Sequence, residues 1–465
     1  MMLAIGALAL GLTMSAQQMH RVDAAMLEVM TRAHIAGMSI GIAQNGRMLY
    51  ARGYGMADVR TGRAAGSQTV YEIGSLTKQF TAACALRLIA ERRLSLDDPV
   101  ARYAPTLAKA AAVTVRQLLN QTSGIADYSE DPDFSRWGKG ALSHAQVLTH
   151  VENLDLHFVP GSKFEYSNTN YFLLGMIVES VSGQSYADYL EQHILGPLHL
   201  VSTAYADSNA TNEPDRAGGS SWSGEAFVPA GVPSFGTAFS AGGLSSNVAD
   251  LTAWDAALLN GRVLPAAVTR LMTTPGLLNG TATAPYGMGL ALSHVYGRPV
   301  VMHTGAIGSF SAFTGTALPA LLEVTVLTNT SGVDTTPIAK TIFAIADPPD
   351  PSAVAVTGFT PAQNELPAIT SLLRSILTSL RNGDVDRSLL TAQFQASLSA
   401  AWIADRSAAL EKAGPAQAYD FNGSSARNGA IAYRYNVRFA ADSWLVTIAI
   451  APSGKVDALS VTPPI

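Results

Sequence analysis

A serine and a lysine three residues apart open a long apolar segment of the chain. Ser75 and Lys78 begin a stretch, residues 75 to 92, that contains neither glycine nor proline. Side chains three residues apart lie on the same face of a helix, so the amine is within reach of the hydroxyl. Burial removes the water that favours the charged form of lysine, and its pKa is expected to fall. Such a pair is a nucleophile with its base, whereas the pair taken alone also fits a helix N-cap serine and a solvated lysine.

Two further stretches carry side chains suited to acyl transfer. Tyr166 and Asn168 lie on an apparent loop before an apolar helix predicted over residues 171 to 178. Residues 303 to 305 read His-Thr-Gly at the end of a predicted strand, where Gly305 lets the backbone approach a ligand closely. Each pattern is weak alone. In the order Ser-x-x-Lys, Tyr-x-Asn, His-Thr-Gly they match, with two substitutions, the motif set of penicillin-binding proteins and serine β-lactamases.

On these motifs, residues 18 to about 335 resemble the serine β-lactamase-like hydrolases, which include class C β-lactamases, D-alanyl-D-alanine peptidases and family VIII esterases. Further matches lie at residues 115 to 124, 240 to 250 and 285 to 290. The resemblance implies a hydrolase that works through an acyl-enzyme. Its substrate could be an ester, a D-amino-acid peptide or a β-lactam.

The resemblance also implies a role for each matching residue. Ser75 would be acylated, Lys78 would accept and relay its proton, and Tyr166 would act as the general base. Asn168 would hydrogen-bond either the substrate amide or Lys78. The backbone N–H groups of Ser75 and Ala306 would form an oxyanion hole. The other predicted substrate-binding residues are His303, Thr304 and Gly305.

Two positions depart from the family pattern. His303 stands where many relatives have lysine, and a histidine is only partly charged near neutral pH. We therefore expect it to change charge near a pKa of about 6.5 and to hold a substrate carboxylate less firmly than lysine. Gln121 replaces a histidine that is frequent before the Thr-Ser-Gly of these proteins, and no consequence follows from the sequence alone.

The composition describes a chain with a large buried core. Apolar residues make up 48% of the 465 residues and charged residues 14%, so we expect two or three folded domains and little disorder. A formal net charge of −5 without a Lys/Arg run argues against nucleic acid or an anionic membrane as a partner. The single cysteine, Cys84, is predicted to be a core residue. The histidines have no metal-binding spacing, and neither a metal nor a cofactor is expected.

The elements around the motifs predict an α/β unit. A hairpin with a turn at Asn45 and Gly46 precedes the Ser75 segment, and a mostly helical region follows from about residue 80 to 270. Early and late strands with helices between them predict a sheet closed by both ends of the segment. With the resemblance, the expected fold is an antiparallel sheet flanked by helices plus an all-helical subdomain, as in β-lactamases and penicillin-binding proteins. The expected helix covers residues 18 to 35, and the strands cover 38 to 44, 47 to 52, 300 to 304, 309 to 316 and 323 to 329.

The chain is predicted to divide into four segments. Residues 1 to 16 resemble a signal peptide, because the apolar run from 3 to 14 is too short to span a bilayer as a helix. Export to the periplasm or the medium is therefore expected. No later stretch of the sequence is predicted to be transmembrane. Residues 17 to 346 form the hydrolase domain and residues 347 to 367 a proline-rich linker. Residues 368 to 465 form a small α+β, cystatin-like domain. Its helices are expected over 369 to 380 and 398 to 413, and its strands over 430 to 439, 443 to 451 and 456 to 461.

Two functions from different classes fit these observations. The first is an exported serine hydrolase acting on a small-molecule or peptidoglycan-like substrate. The second is a catalytically silent penicillin-binding or sensor protein whose C-terminal domain mediates interaction. The intact Ser75, Lys78 and Tyr166 favour the first, because a protein that only binds needs none of them. Neither the substrate nor the oligomeric state follows from the sequence.

Overall fold

The chain forms two compact units, Met1–Pro349 and Asp350–Ile465. The computed structural model describes residues 13–131, 133–138, 142–152, 154–205, 215–231, 235–280, 282–348, 367–427, 430–439 and 443–462. Most of the predicted signal peptide at residues 1 to 16 and of the predicted linker at 347 to 367 lies outside these described residues. Both stay predictions.

The first unit contains fourteen named strands. They are β1 (Gly37–Gln44), β2 (Arg47–Asp58), β3 (Arg63–Ala64), β4 (Tyr71–Glu72), β5 (Ala204–Tyr205), β6 (Ser220–Trp222), β7 (Phe227–Pro229), β8 (Leu244–Ser246), β9 (Leu277–Leu278), β10 (Ala282–Thr283), β11 (Ala291–Val295), β12 (Arg298–Ile307), β13 (Phe310–Ala317) and β14 (Leu322–Thr328).

Helices fill most of the chain between β4 and β11 and also flank the sheet. They are α1 (Ala16–Arg32), α2 (Thr77–Ala90), α3 (Val115–Leu119), α4 (Phe134–Trp137), α5 (His144–Val151), α6 (Asn168–Ser182), α7 (Tyr186–Leu190), α8 (Gly196–Leu198), α9 (Phe235–Gly242), α10 (Val248–Leu259), α11 (Ala266–Thr273) and α12 (Thr335–Ala346). Short 3₁₀ turns lie at Gly74–Leu76, Val100–Arg102, Ala108–Ala110 and Tyr128–Glu130, and a π turn at Glu191–Leu195.

An antiparallel sheet in the order β11-β12-β13-β14-β1-β2-β3 is the centre of this unit. β1 pairs with β14, with Met38 opposite Thr328, so the predicted closure by early and late strands is confirmed. Asn45 and Gly46 have φ of 51° and 74°, as a type I′ hairpin turn requires. β2 continues to Asp58, six residues beyond its predicted end, and β11 was not predicted.

Helices cover both faces of the sheet. On one face, α1 and α12 bury residues such as Val22 and Ile338 against Ile40 and Val324. On the other face, α2, α6 and α10 form a second core that includes Phe80. Strand side chains alternate between faces, so β1 can contribute apolar residues to one core and small ones to the other. The predicted α/β fold is therefore confirmed.

The second unit is an α+β domain, as predicted. Its antiparallel sheet has the order β15 (Ala418–Arg427), β16 (Ala430–Arg438), β17 (Ser443–Ile450), β18 (Val456–Thr462), and the helix-then-strand order matches the expectation. β15 was not predicted, because its sequence has little of the alternation and β-branched content that indicate a strand. The helices are α13 (Pro367–Arg381), α14 (Ala392–Ser397) and α15 (Ala400–Ala413), with a 3₁₀ turn at Arg387–Leu389.

Within the residues that the structure describes, every helix is too short or too polar to cross a membrane.

Candidate active site

Ser75 lies in the 3₁₀ turn Gly74–Leu76, directly before α2. Gly74 has a φ of 51°, and a Cβ atom there would come within 2.8 Å of the backbone nitrogen of Ala306. The Thr77 hydroxyl donates to the Gly74 carbonyl at 2.7 Å and fixes the turn. Glycine is therefore needed here by both its conformation and its surroundings.

Strand β12 approaches the same turn through Gly305. A Cβ atom on Gly305 would lie 1.9 Å from the carbonyl oxygen of Ile73, which only glycine avoids. This contact brings the backbone of Ser75 close to that of Ala306, the two predicted oxyanion donors. Thr304 and Ala306 are exposed on β12, and Gly305 between them is buried, so both flanking residues are accessible to a ligand.

Lys78 is fully buried in the first turn of α2. Its Nζ lies 3.1 Å from Ser75 Oγ, 2.7 Å from Asn168 Oδ1 and 2.7 Å from the carbonyl oxygen of Ala241. Burial lowers the pKa of Lys78 to about 7, while the negative charge of Asp127 acts in the opposite direction. The predicted nucleophile and base are thus in contact, and the expected fall in the lysine pKa is present.

Asn168, which contacts Lys78, is itself oriented by the carboxylate of Asp127, a residue that sequence reasoning missed. Its amide nitrogen donates to Asp127 Oδ2 at 2.8 Å and its backbone N–H donates to the same oxygen at 2.9 Å, which turns Oδ1 toward Lys78. Asp127 is only 8% exposed. Asp127 lies among the small and apolar residues 124 to 128, which could have indicated a buried carboxylate. An acidic residue at such a position is also typical of a turn, so the sequence did not single it out.

The helix after Tyr166 begins earlier than predicted. α6 starts at Asn168 rather than at residue 171, so Asn168 is the first helical residue and not part of a loop. Apolar periodicity begins only at Tyr171, because the polar residues of the first turn face Asp127 and Gln121 instead of the core. Tyr166 itself precedes the helix, as expected.

The ring of Tyr166 covers the amine of Lys78. The Lys78 Nζ lies 4.8 Å from the ring centroid, and the ring of His303 lies 6.1 Å away. Loss of water around the phenol raises the pKa of Tyr166 above its usual range, and its hydrogen bond with Ser75 acts in the opposite direction. Tyr166 is therefore a neutral phenol at neutral pH, able to pass a proton on. The residue is still 36% exposed, so a substrate can reach it.

The expected charge change of His303 near pH 6.5 is wrong. His303 is 4% exposed, and burial together with the charge of Lys78 lowers its pKa to about 3. Its Nδ1 donates to the carbonyl oxygen of Thr304 at 2.6 Å, which leaves Nε2 unprotonated in the neutral ring. The hydroxyl of Tyr286 donates to Nε2 at 2.9 Å. Both ring nitrogens are in use, and the ring carries no charge.

Tyr286 is a second residue that sequence reasoning did not assign. It is 2% exposed, and its ring packs edge-on against His303 at 5.7 Å between centroids. It lies within the matching stretch of residues 285 to 290, so the motif was seen but its side chain was given no role.

The structure thus brings the predicted side chains of Ser75, Lys78, Tyr166, Asn168 and His303 into one cluster. Among the described residues, no group of three or more His, Cys, Asp or Glu side chains is arranged to hold a metal ion.

Comparisons with known proteins agree with this fold. Residues 22–346 match the family model described as Beta-lactamase. Protein flp of Staphylococcus aureus (strain NCTC 8325 / PS 47) is 37% identical over 215 residues, which cover 44% of this chain and 42% of the relative. The chain therefore spans less than half the length of that curated relative.

Two solved structures resemble the chain over longer stretches. The octameric penicillin-binding protein homologue from Pyrococcus abyssi has a TM-score of 0.64 at 24% identity, over 92% of this chain and 90% of its own. The D-stereospecific amidohydrolase from Streptomyces sp. has a TM-score of 0.60 at 28% identity, over 69% of this chain and 97% of its own.

Proposed function

The chain belongs to the beta-lactamase family, and on that premise we propose that it is a serine hydrolase whose Ser75 is transiently acylated by an uncharged ester or amide. The observation that carries this proposal is the set of contacts of the Lys78 amine. Nζ reaches Ser75 Oγ at 3.1 Å while Asn168 Oδ1 and the Ala241 carbonyl hold it at 2.7 Å each. This geometry activates a hydroxyl and has no evident use in a protein that only binds.

The partners of Lys78 suit both of its protonation states. The charged amine can donate one N–H each to Ser75 Oγ, Asn168 Oδ1 and the Ala241 carbonyl, and the neutral amine keeps two N–H groups for the last two. The lone pair of Nζ then faces Ser75. With a pKa of about 7, Lys78 is neutral in about half of the molecules at pH 7, and in more above it.

The reaction then proceeds in two halves. Ser75 Oγ bonds to the carbonyl carbon of the substrate as its proton passes to Lys78 Nζ. The N–H groups of Ser75 and Ala306 stabilise the oxyanion, a contribution of about 2.7–4 kcal/mol per donor in comparable sites. The proton returns through Lys78 and Tyr166 to the leaving alkoxide or amine, whose bond to the carbonyl carbon breaks. In the second half, water bonds to the acyl carbon and its proton passes to Lys78 Nζ. The bond between that carbon and Ser75 Oγ then breaks, Oγ takes the proton back from Lys78, and the acid leaves.

The charges of the site support an uncharged substrate. His303 is neutral with both ring nitrogens engaged, and Lys78 is buried behind Tyr166. Neither presents a cation to a substrate carboxylate. A β-lactam or a D-alanyl peptide carries such a carboxylate and is expected to be the poorer substrate. The likeness to the D-stereospecific amidohydrolase adds support for amides of D-amino acids among the candidates, since these lack a carboxylate even where their free amine is protonated.

A catalytically silent binding protein is the alternative that an experiment must exclude. The panel comprises p-nitrophenyl acetate and butyrate, D-phenylalanine amide, nitrocefin and a D-alanyl-D-alanine peptide, each with wild type and with Ser75→Ala. We expect turnover of at least one uncharged ester or amide, its loss in Ser75→Ala, and fluorophosphonate labelling of the wild type alone. No adduct at Ser75 and no turnover of any substrate would support the silent alternative instead.

A further inference from the structure

The buried Gln121 is bonded to the residues on both sides of Tyr166. Its backbone carbonyl accepts from the N–H of Glu165 at 3.0 Å, and its side-chain Oε1 accepts from the N–H of Ser167 at 3.1 Å. One residue thus fixes the backbone immediately before and immediately after the tyrosine. Gln121 is 0% exposed, so water does not compete for these bonds.

The same Oε1 atom also ties this segment to α6. Asn170 in the first turn of that helix donates its Nδ2 to Oε1 at 2.6 Å, and Asn170 Oδ1 accepts from Ser123 Oγ at 2.6 Å. The segment with Tyr166 and the helix that presents Asn168 are therefore held by a common acceptor. A shift of Gln121 would move both relative to Lys78.

Gln121 adopts a backbone conformation that a glutamine rarely takes. Its φ is 61°, in the left-handed region, and the residue has a side chain that disfavours it. Such a conformation costs about 1–3 kcal/mol and persists where the surroundings over-determine it, often at functional sites. Here the strained backbone directs the carbonyl to Glu165 and the side chain to Ser167 at the same time.

We propose that Gln121 is a positioning residue that keeps the Tyr166 hydroxyl beside Ser75 and Lys78 while the proton is relayed. This rests on the proposed function, because a position matters for catalysis only if Tyr166 takes part in acyl transfer. Gln121 has no contact with the nucleophile and acts through the backbone of its neighbours.

Two substitutions separate this role from a general effect on stability. Gln121→Gly removes the Oε1 acceptor and relieves the left-handed conformation, whereas Gln121→Ala removes the same acceptor and keeps the strain. The glycine variant should therefore be the more stable of the two in thermal unfolding. If the lost acceptor is what matters, both should lose a similar factor in kcat.

The expected loss is set by the misplacement of a proton-relay group. A shift of about 1 Å can cost on the order of 100-fold, so we expect kcat for a p-nitrophenyl ester to fall by about 10- to 100-fold in both variants. KM should change less than kcat, because the hydrogen bonds of Gln121 hold the backbone on either side of Tyr166 and the side chain of Asn170. The deficit should also shrink as pH rises, since hydroxide can take over the proton transfer that a displaced Tyr166 relays poorly. A structural role alone would lower activity by one factor at every pH.

Gln117→Ala, in the short helix α3 just before Gln121, is the matched control. Gln117 closes the capping box of α3 and accepts from the N–H of Thr114 at 3.0 Å, without a hydrogen bond to residues 165 to 167. Its loss should lower the thermal midpoint while leaving kcat within about threefold, as expected of a cap contribution near 1 kcal/mol.

Hydrogen exchange of the wild type tests the geometry even if no variant folds. The amides of Glu165 and Ser167 should be protected from exchange, since both donate to Gln121. Fast exchange at both, or kcat within about threefold of wild type in both Gln121 variants, would overturn the proposal. A wild type that neither turns over esters nor labels at Ser75 would instead overturn the proposed function, so the two failures can be told apart.

Discussion

Lys78 is a buried amine whose charge, in the proposed reaction, decides whether Ser75 can lose its proton. The pKa of Lys78 is lowered because the folded protein removes the amine from water. Hydrogen bonds to Ser75, Asn168 and Ala241 fix the position of the amine. Asp127 works against this effect, because its carboxylate favours the charged lysine. The amine is thus held near the point where a small electrostatic change alters the fraction that can act as a base.

The pH dependence of catalysis should report this balance. For a neutral ester, kcat/KM should rise as pH passes through about 7 and then level off, because neutral Lys78 is the active form. Asp127→Asn removes the negative charge, so the rise should move to lower pH. Profiles of wild type and Asp127→Asn between pH 5 and 9 measure the shift; a shift to higher pH would contradict this electrostatic account.

His303 should leave no imprint on the pH profile near 6.5. Its pKa of about 3 keeps it neutral above pH 5, so a substrate with a carboxylate gains no cation there as pH falls. A neutral ester and its analogue with an added carboxylate should therefore show the same profile between pH 5.5 and 7.5. Tighter binding of the carboxylate analogue alone below pH 6.5, in wild type but not in His303→Gln, would show that His303 is protonated and binds the carboxylate.

At the scale of elements, the site is formed where a turn before α2 meets strand β12. The close approach rests on Gly74 and Gly305, each of which faces backbone atoms of the other element. Neither element could create the site alone, because the two predicted oxyanion donors belong to different ones. The packing of turn against strand is thus part of the site itself.

Gly305→Ala should damage both the fold and the site. Its Cβ would lie 1.9 Å from the Ile73 carbonyl oxygen, so β12 must move away from the turn. We expect a loss of about 1–3 kcal/mol in the free energy of unfolding and a large fall in ester hydrolysis. Gly66→Ala, where a Cβ meets nothing within 4 Å, is the control and should change stability by less than about 0.5 kcal/mol. Equal stability and activity in the two variants would show that the turn and strand are not so tightly packed.

Two buried carboxyls lie between α10 and the sheet and should make stability depend on pH. Burial raises the pKa of Asp255 to about 7 and that of Glu323 to about 8, where the charge of Asp255 adds to the effect. In the unfolded chain both ionise near pH 4. Between about pH 4 and 8 the native state therefore binds more protons than the unfolded state, so stability falls as pH rises through this window.

Glu323→Gln removes one of the two carboxyls whose ionisation makes stability depend on pH. The variant should lose less stability between pH 5 and 9 than the wild type, by about 2 kcal/mol or more, since one pKa unit corresponds to about 1.4 kcal/mol. Glu225→Gln makes the same change on an exposed residue and should leave the dependence unaltered. Denaturant unfolding at several pH values checks this, and parallel curves for wild type and Glu323→Gln would refute the shifted pKa.

The parts of the site that were predictable from the sequence are those formed by residues close to one another along the chain. Ser75 and Lys78 lie one helical turn apart, so their contact followed from periodicity, as did the hairpin around Asn45 and Gly46. Asp127 and Gln121 act on residues about 40 positions away, and no local pattern indicates such a partner. The charge of His303 was predicted wrongly for the same reason, since its burial depends on Tyr286 and on the fold around it.

At the scale of the whole molecule, each unit has a core of its own. The two cores of the first unit contain residues from Met14 to Ala346, and the core of the second contains residues from Leu373 to Val461. Every residue assigned to the candidate site lies in the first unit, between Ser75 and Ala306. The proposed chemistry is therefore expected to work with side chains of the first unit alone.

A chain that ends at Pro349 should fold and keep its esterase activity. The sheet of the first unit is closed by β1 and β14, and α12 completes the layer that covers it, so both hydrophobic cores of this unit are formed by residues 14 to 346. We expect a cooperative thermal transition, fluorophosphonate labelling at Ser75, and kcat/KM for p-nitrophenyl butyrate within about threefold of the full chain. Residues 367 to 465 expressed alone provide the reciprocal test, because their four-stranded sheet and helices share one core and should also unfold cooperatively. If the shortened chain is soluble and folded but fails to label or to hydrolyse the ester, the second unit contributes to the site, and the assignment of the chemistry to the first unit alone is wrong.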